Sequence, residues 1–281
     1  MNKEQEWLLK EKYGGEKYAP VFNDIEEIKN KYPWGEGFFA DCARLEAGEP
    51  LAYIIGNIPF LDVTISLGSK PLIPRPETEY WVEKAIEAIT LRNAEEGRRA
   101  VSIQGAEAFI DVPFRILDLC AGSGAIGVAV GKALPMARVD FAEIDASHHS
   151  TIVDNICDNG LDYTNTRVFA GDLFAEIPSG TKYDAILSNP PYIDPMVNRA
   201  EQSVTSFEPH LALYGGIQGM EIITRLIHTA PNYLAPRGTL WIEHEPEQTA
   251  QIGELGAMAG FTTTTHIDQF GIERFSILTA A

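Results

Sequence analysis

The chain has 281 residues, 45% of them hydrophobic, and carries 40 acidic against 22 basic residues for a formal charge of −18. That length supports a substantial core in one large domain or two modest ones. The charge opposes binding to a free polyanion and suits a cationic ligand or a basic protein partner, while no apolar run reaches membrane-spanning length.

The N-terminal stretch Met1–Trp7 lacks the apolar core of a signal peptide and is too acidic for an organellar transit peptide. Secretion and membrane insertion are therefore not expected, and a cytoplasmic location is. Cys42, Cys120 and Cys157 are far apart and have no metal-ligand spacing. This fits a reducing compartment without a disulfide framework or a bound metal. Cys42 and Cys157 read as small buried hydrophobes.

Residues 1–50 read as a small helical unit, with helix-compatible segments at Asn2–Lys12, Asn23–Lys31 and Gly37–Ala47, punctuated by Gly14-Gly15, Pro20 and Pro33. Residues 51–78 read as a hairpin and linker. Tyr53-Ile54-Ile55 and Leu61–Ser66 supply the two strands around Gly56-Asn57-Ile58-Pro59. The proline-punctuated stretch Pro71–Glu79 comes next. Thr78 or Glu77 is placed to cap a helix running from about Glu79 to Leu91, whose Trp81, Val82, Ala85, Ile86 and Ile89 share one face. Residues 92–113 read as an insertion or surface connection with no assigned function.

From Phe114 the pattern alternates. Strands are expected at 115–119, 138–144, 166–170, 183–188 and 238–243, with helices between most of them, and two last strands at Phe261–His266 and Glu273–Thr279. This is the pattern of an α/β fold with a parallel, doubly wound sheet, here spanning residues 79–281.

Chemistry-bearing residues gather where strands end. Asp118-Leu119-Cys120-Ala121-Gly122-Ser123-Gly124 closes the first strand and opens a helix. Small residues let a ligand approach the backbone, and the helix N-terminus presents free N–H groups. A tight strand-to-helix turn would need the same residues. The next strand ends in Glu143-Ile144-Asp145. Asp145 is preferred as a bidentate acceptor for ribose hydroxyls, because strand alternation sends Glu143 the other way. A carboxylate favouring the following helix N-terminus is the rival role for Asp145. The third strand ends in Gly171-Asp172-Leu173-Phe174, where an acid and apolar groups suit an adenine ring, or simply a turn. The fourth ends in Ser188-Asn189-Pro190-Pro191-Tyr192. Two prolines cannot continue a strand, so Asn189 leaves the sheet in a stiff loop at the edge where such sheets bind ligands.

Together these motifs resemble the class I, Rossmann-like S-adenosylmethionine-dependent methyltransferases. The Asn-Pro-Pro-Tyr loop resembles that of enzymes methylating a planar amide or exocyclic amine. Over about residues 48–281 the chain is similar to the protein-(glutamine-N5) methyltransferases of peptide chain release factors. The resemblance is carried by Gly48–Gly56, Leu72-Ile73-Pro74-Arg75-Pro76-Glu77-Thr78-Glu79, Glu208–Leu213, Gly219-Met220-Glu221 and Glu243–Gln248. The Pro74–Glu79 segment favours this family over the ribosomal-protein glutamine methyltransferases. Cys120 stands where the family usually has glycine, and Leu173 where it often has an aromatic residue. The region before Gly48 is shorter than the helical domain usual there.

The resemblance implies S-adenosylmethionine held by Asp118, Cys120, Ala121, Gly122, Ser123, Gly124, Asp145, Asp172, Leu173 and Asn189. It implies methylation of the glutamine in the release factor's Gly-Gly-Gln motif. The Asn189 side-chain oxygen and the Pro190 carbonyl would accept the two amide N–H groups, and Pro191 and Tyr192 would wall the pocket. Arg75 and Glu77 would shape the side facing the substrate. Stable nucleic-acid or membrane binding is not expected, and a monomer is. The alternatives are an adenine-N6 nucleic-acid methyltransferase, against which the charge counts, and a scaffold without catalysis, against which the intact Gly122, Gly124, Asp145 and Asn189 count.

Overall fold

The computed structural model describes residues 2–14, 32–96, 98–103, 106–111, 113–197 and 201–280. Its centre is a seven-stranded sheet. Five parallel strands are β5 (Arg115–Leu119), β6 (Arg138–Glu143), β7 (Arg167–Ala170), β8 (Tyr183–Ser188) and β9 (Leu234–Glu243). The other two, β10 (Phe261–Ile267) and β11 (Glu273–Ala280), form an antiparallel pair, and β11 runs antiparallel to β9. The spatial order is β10-β11-β9-β8-β5-β6-β7. The chain winds outward from β5 through β6 and β7, then returns to β8 on the other side. The switch point, where a crevice opens at the strands' carboxyl ends, therefore lies between β5 and β8.

Alternation along the buried strands feeds two cores. On one face Ile116, Phe141, Leu187 and Trp241 pack with α4 (Pro76–Glu96), α5 (Ala125–Ala133) and α6 (His149–Asp158). On the other, Leu117, Ala142, Ile186 and Ile242 pack with α9 (Glu221–Thr229) and α10 (Thr249–Met258). Nearly continuous burial along β5, β6 and β8 is what a sheet covered on both faces requires.

Upstream, the helical unit contains α1 (Lys3–Tyr13) and α2 (Gly35–Glu46); Asn23–Lys31 lies outside the described residues. Leu8, Leu9, Phe38 and Cys42 form its small core with Ile54. Ile54 belongs to α3 (Leu51–Ile55), a helix where the sequence pattern suggested a strand. The alternation at Tyr53-Ile54-Ile55 is too short to define a period, and burial of Tyr53 and Ile54 against neighbouring units settles it. The hairpin exists one step later, as β1 (Asn57–Phe60) and β2 (Val63–Ser66). Two asparagines of the neighbouring helix region satisfy its edge. Asn155 accepts from the Ser66 N–H at 2.7 Å and donates to its carbonyl at 3.1 Å, while Asn159 bridges Thr64 in the same way.

Further differences have simple causes. α4 starts at Pro76, not near Glu79, because proline suits the first helical turn. Within residues 92–113, the stretch up to Glu96 continues that helix, and β3 (Arg98–Ile103) pairs antiparallel with β4 (Ala106–Asp111). Cys42 is buried as expected, but Cys157 is exposed on α6. His148 is buried and bonded to Ser69 at 2.9 Å.

Glu49 ties the helical unit to the loop after β2. Arg44 grips it with two bonds of 2.8 Å, and Lys70 reaches it at 2.9 Å. The Arg44 guanidinium, opposed by burial and aided by Lys70, holds the carboxyl down at about 2. An acid whose pKa is lower when folded contributes stability above its unfolded pKa, about 4.3 for Glu, and loses it as pH falls toward the folded value. Docking of the helical unit should thus weaken between about pH 4.3 and pH 2. Glu49→Gln should remove that step from an acid titration monitored by hydrogen exchange across α2.

Candidate active site

Strand register lines up the site. Leu119 pairs with Ala142 on one side and with Ser188 on the other, and Ser188 pairs with Ile242. The next residue on each strand, Glu143, Cys120, Asn189 and Glu243, therefore falls in one row across four adjacent strands, Glu143 and Glu243 as the last residues of β6 and β9 and Cys120 and Asn189 just beyond β5 and β8. Glu143 and Glu243 belong to the face covered by α4, α5 and α6, because they alternate in step with Phe141 and Trp241.

The loop between β5 and α5 is tightly pinned. The Ala121 N–H donates to the Ala142 carbonyl at 3.1 Å, and the Ser123 carbonyl accepts from Asn155 at 2.9 Å. Cys120, Gly122 and Gly124 all have positive φ, at 61°, 54° and 79°. Cys120 takes this conformation although it bears a side chain, at a position where glycine would meet no steric cost. A Cβ on Gly122 would meet only Pro71, 4.0 Å away, so the glycine keeps an open approach to the loop's backbone. Asp118 is fully buried. Its Oδ2 accepts from the Gly127 N–H at 2.8 Å, and its Oδ1 has no partner among the described residues. Burial pushes its carboxyl up to about 8, against the smaller pull of the Gly127 bond.

Glu143 does not turn away from the crevice. Its carboxylate accepts from the Gly122 N–H at 2.8 Å and from the Asp145 N–H at 2.9 Å. The glycine loop leads into α5, on the same face as Glu143, so alternation brings this side chain toward the loop. Asp145 is turned to the helix-capping role: its Oδ1 accepts from the Ser147 N–H at 2.9 Å, and its side chain is 37% exposed. Asp172 pairs with Arg225 at 2.7 Å, both groups being about half exposed. Leu173 is buried with a φ of 53°, in the same core as Phe174.

Asn189, just after β8, is half-buried, and its Nδ2 donates to the Thr78 hydroxyl at 3.2 Å. Thr78 donates in turn to Glu243 Oε2 at 2.7 Å. The Trp81 Nε1–H reaches the same oxygen at 2.7 Å, and the Tyr192 hydroxyl reaches Oε1 at 3.0 Å. Glu243 is 1% exposed, and burial raises its carboxyl above the ordinary range while these three donors and Arg274 pull it down. Burial, together with the Glu243 charge, raises the Tyr192 hydroxyl well above its usual value. Pro190 is buried and Pro191 half-buried.

The loop is clamped from outside. Gln248 donates to the Tyr192 carbonyl at 2.8 Å, and Ile193 pairs with the segment just after α8 (His210–Leu213). At Gly219, where φ is 69°, any Cβ would overlap the Tyr192 carbonyl oxygen, so that position accepts only glycine.

A groove of about 750 Å³ reaches Asn189 and Tyr192, lined also by Leu72, Arg75, Met220 and Gln248. Arg75 is ion-paired there with buried Glu208, whose other oxygen accepts from the Ile73 N–H at 3.0 Å. Arg75 thus lines the groove and braces it at once. Glu77 lies half-buried in the first turn of α4 and is not among the lining residues. Reading the sequence alone misses Glu243, Glu208 and Gln248 as site residues. All three lie in stretches that carry the resemblance, but only the fold brings them to Asn189 or Arg75.

Comparison with known proteins agrees with this geometry. The Methyltransferase small domain model matches residues 107–207. A release factor glutamine methyltransferase of Bordetella pertussis is 34% identical over 84% of this chain and 79% of its own length. Another, from Thermodesulfovibrio yellowstonii, is 31% identical over 82% of this chain and 76% of its own. A methyltransferase structure from Pyrococcus furiosus shares the fold, with a TM-score of 0.51 at 17% identity, covering 85% of this chain and 97% of that one. With a β5/β8 crevice, a glycine loop and an Asn-Pro-Pro-Tyr strand end in place, this chain belongs to the release factor glutamine methyltransferase family.

Proposed function

We propose that the chain transfers a methyl group from S-adenosylmethionine to the side-chain amide nitrogen of the glutamine in a release factor's Gly-Gly-Gln motif, acting as a cytoplasmic monomer. The observation that carries this reading is the 34% identity, over 84% of the chain, to a protein named release factor glutamine methyltransferase.

The donor supplies an electrophilic methyl group on a sulfonium. The crevice fits such a ligand. Gly122 leaves the loop backbone open, Asp118 Oδ1 is a buried polar atom with no partner among the described residues, and Glu143 retains unused lone pairs after accepting two N–H bonds. We assign the ribose hydroxyls to Glu143 in preference to Asp145, because the Glu143 carboxylate is the one that bonds the glycine loop at Gly122, while Asp145 caps the following turn at Ser147. Cys120 through Gly124 would contact the donor through their backbone, and Leu173 would cover the adenine. Asp172, drawn outward by Arg225, would reach the adenine amino group only at the crevice rim.

A glutamine amide is a poor nucleophile, because its nitrogen lone pair is delocalised into the carbonyl. The chain compensates by position. The Asn189 Oδ1 and the Pro190 carbonyl accept the two amide N–H groups, aim the nitrogen at the crevice and stabilise positive charge growing on it. Tyr192 and Pro191 wall the amide plane, and the proton leaves after transfer. The groove rim carries Asp194, Glu201, Glu245 and Glu247, and its Arg75 is already paired. This agrees with a protein substrate more than with a nucleic acid.

The test is mass spectrometry of a release factor co-expressed with this chain. One added methyl on the Gly-Gly-Gln glutamine is expected, and an unmodified glutamine beside methylated adenine in DNA would reverse the reading. Glu143→Gln should weaken S-adenosylmethionine binding by at least about tenfold, the scale of one lost charge-assisted hydrogen bond. Asp145→Ala should weaken it less. Calorimetry that ranked the two variants the other way would return the ribose to Asp145.

A further inference from the structure

Glu243 is a buried carboxylate that the transfer chemistry above does not use, yet it ends a hydrogen-bond chain that starts at Asn189. We propose that Glu243 and Thr78 are positioning residues that fix which end of the Asn189 amide faces the substrate.

Donor and acceptor capacities decide the orientation. An indole nitrogen can only donate, so the Glu243 oxygen that Trp81 reaches at 2.7 Å must accept. That same oxygen lies 2.7 Å from the Thr78 hydroxyl, which therefore spends its single hydrogen on Glu243. Thr78 has only lone pairs left for its contact with Asn189 at 3.2 Å, so the Asn189 group facing it must be the NH2. The Asn189 oxygen is then turned away from Thr78 and toward the groove that Asn189 lines.

A flipped amide would set two acceptors against each other at Thr78 and present an NH2 to a substrate that itself offers N–H groups. Trp81 thus acts as a one-way donor at the far end of the chain, and a change there is felt at Asn189 through two intervening groups. The other carboxylate oxygen holds Tyr192, so one buried group sets both ends of the Asn-Pro-Pro-Tyr loop. The strand register gives the reason for its place. Glu243 is the residue beside Asn189 on the neighbouring strand, on the face covered by the first turns of α4. A carboxylate against that helix N-terminus is also favourably placed in its dipole field.

This inference rests on the proposed methyl transfer to a glutamine amide. Its test is single-turnover methylation of a release factor by the full chain, with S-adenosylmethionine affinity measured in parallel by calorimetry. Thr78→Val should lower the transfer rate about tenfold, the scale of one lost orienting bond, with cofactor affinity unchanged. Thr78→Ser, which keeps the hydroxyl, should restore the rate. On an Asn189→Ala background, Thr78→Val should cause no further loss, since Thr78 acts through Asn189. Should the valine variant lose cofactor affinity, Thr78→Ala carries the same expectation without the added methyl group. A wild-type rate without the hydroxyl, failure of serine to restore it, or full additivity with Asn189→Ala would each overturn the relay. An inactive wild-type protein that still binds S-adenosylmethionine would instead overturn the substrate assignment, and with it the relay's role toward that amide.

Discussion

Asn189→Ala should lower the rate of methyl transfer to the release factor glutamine by about 10²-fold while leaving S-adenosylmethionine affinity within about twofold of the parent. The side chain presents a neutral oxygen whose value rises as the amide nitrogen becomes positive in the transition state. Its removal is therefore felt mainly in the transfer step and little in binding of either ligand. The backbone at this position is held independently. Ser188 is paired in the sheet and its hydroxyl donates to the Leu119 carbonyl at 2.7 Å, while Pro190 and Pro191 stiffen the chain immediately downstream. Alanine should thus delete the acceptor without moving the loop. A single-turnover rate within a factor of two of the parent would remove Asn189 from the chemistry.

Glu243→Ala should destabilise the folded chain by about 3–5 kcal/mol, read as a shift in the urea unfolding midpoint. Three donors, from Thr78, Trp81 and Tyr192, would lose their acceptor at once. The buried Trp81 indole N–H cannot turn elsewhere. Each orphaned buried donor costs on the order of 1–3 kcal/mol. The total is reduced because burying the Glu243 charge is itself unfavourable, as its raised pKa indicates. A midpoint shift worth less than about 1 kcal/mol would mean that water reaches the cavity and replaces the carboxylate.

Much of the fold was legible. Strands β5 through β8 carry short, mostly apolar runs with glycine, proline or acidic residues at or just beyond their ends, and the structure places them within a residue of the sequence expectation. The short N-terminal elements were less legible. Tyr53-Ile54-Ile55 spans less than one helical turn, and its helical form arises from where Tyr53 and Ile54 are buried. The expected burial of Cys157 had the same weakness. A single polar or small residue on a helix has no period, so packing alone decides that His148 is covered and Cys157 is not.

The site divides along the same line. Its local chemistry was readable from the residues alone. A glycine-rich turn after β5 and a proline-locked amide after β8 are consequences of backbone freedom and its loss within a few residues. Which acids lie against them depends on the folded arrangement. Choosing between Glu143 and Asp145 depends on which face of the sheet the glycine loop occupies, and the loop's helix, α5, lies on the Glu143 face. Glu243 and Thr78 stand 165 residues apart, yet share a hydrogen bond because β9 lies beside β8 and α4 crosses that strand's end. Spacing along a chain carries no such information. Contacts of this range are set by strand order and register, which one sequence constrains only through the pattern of its buried faces.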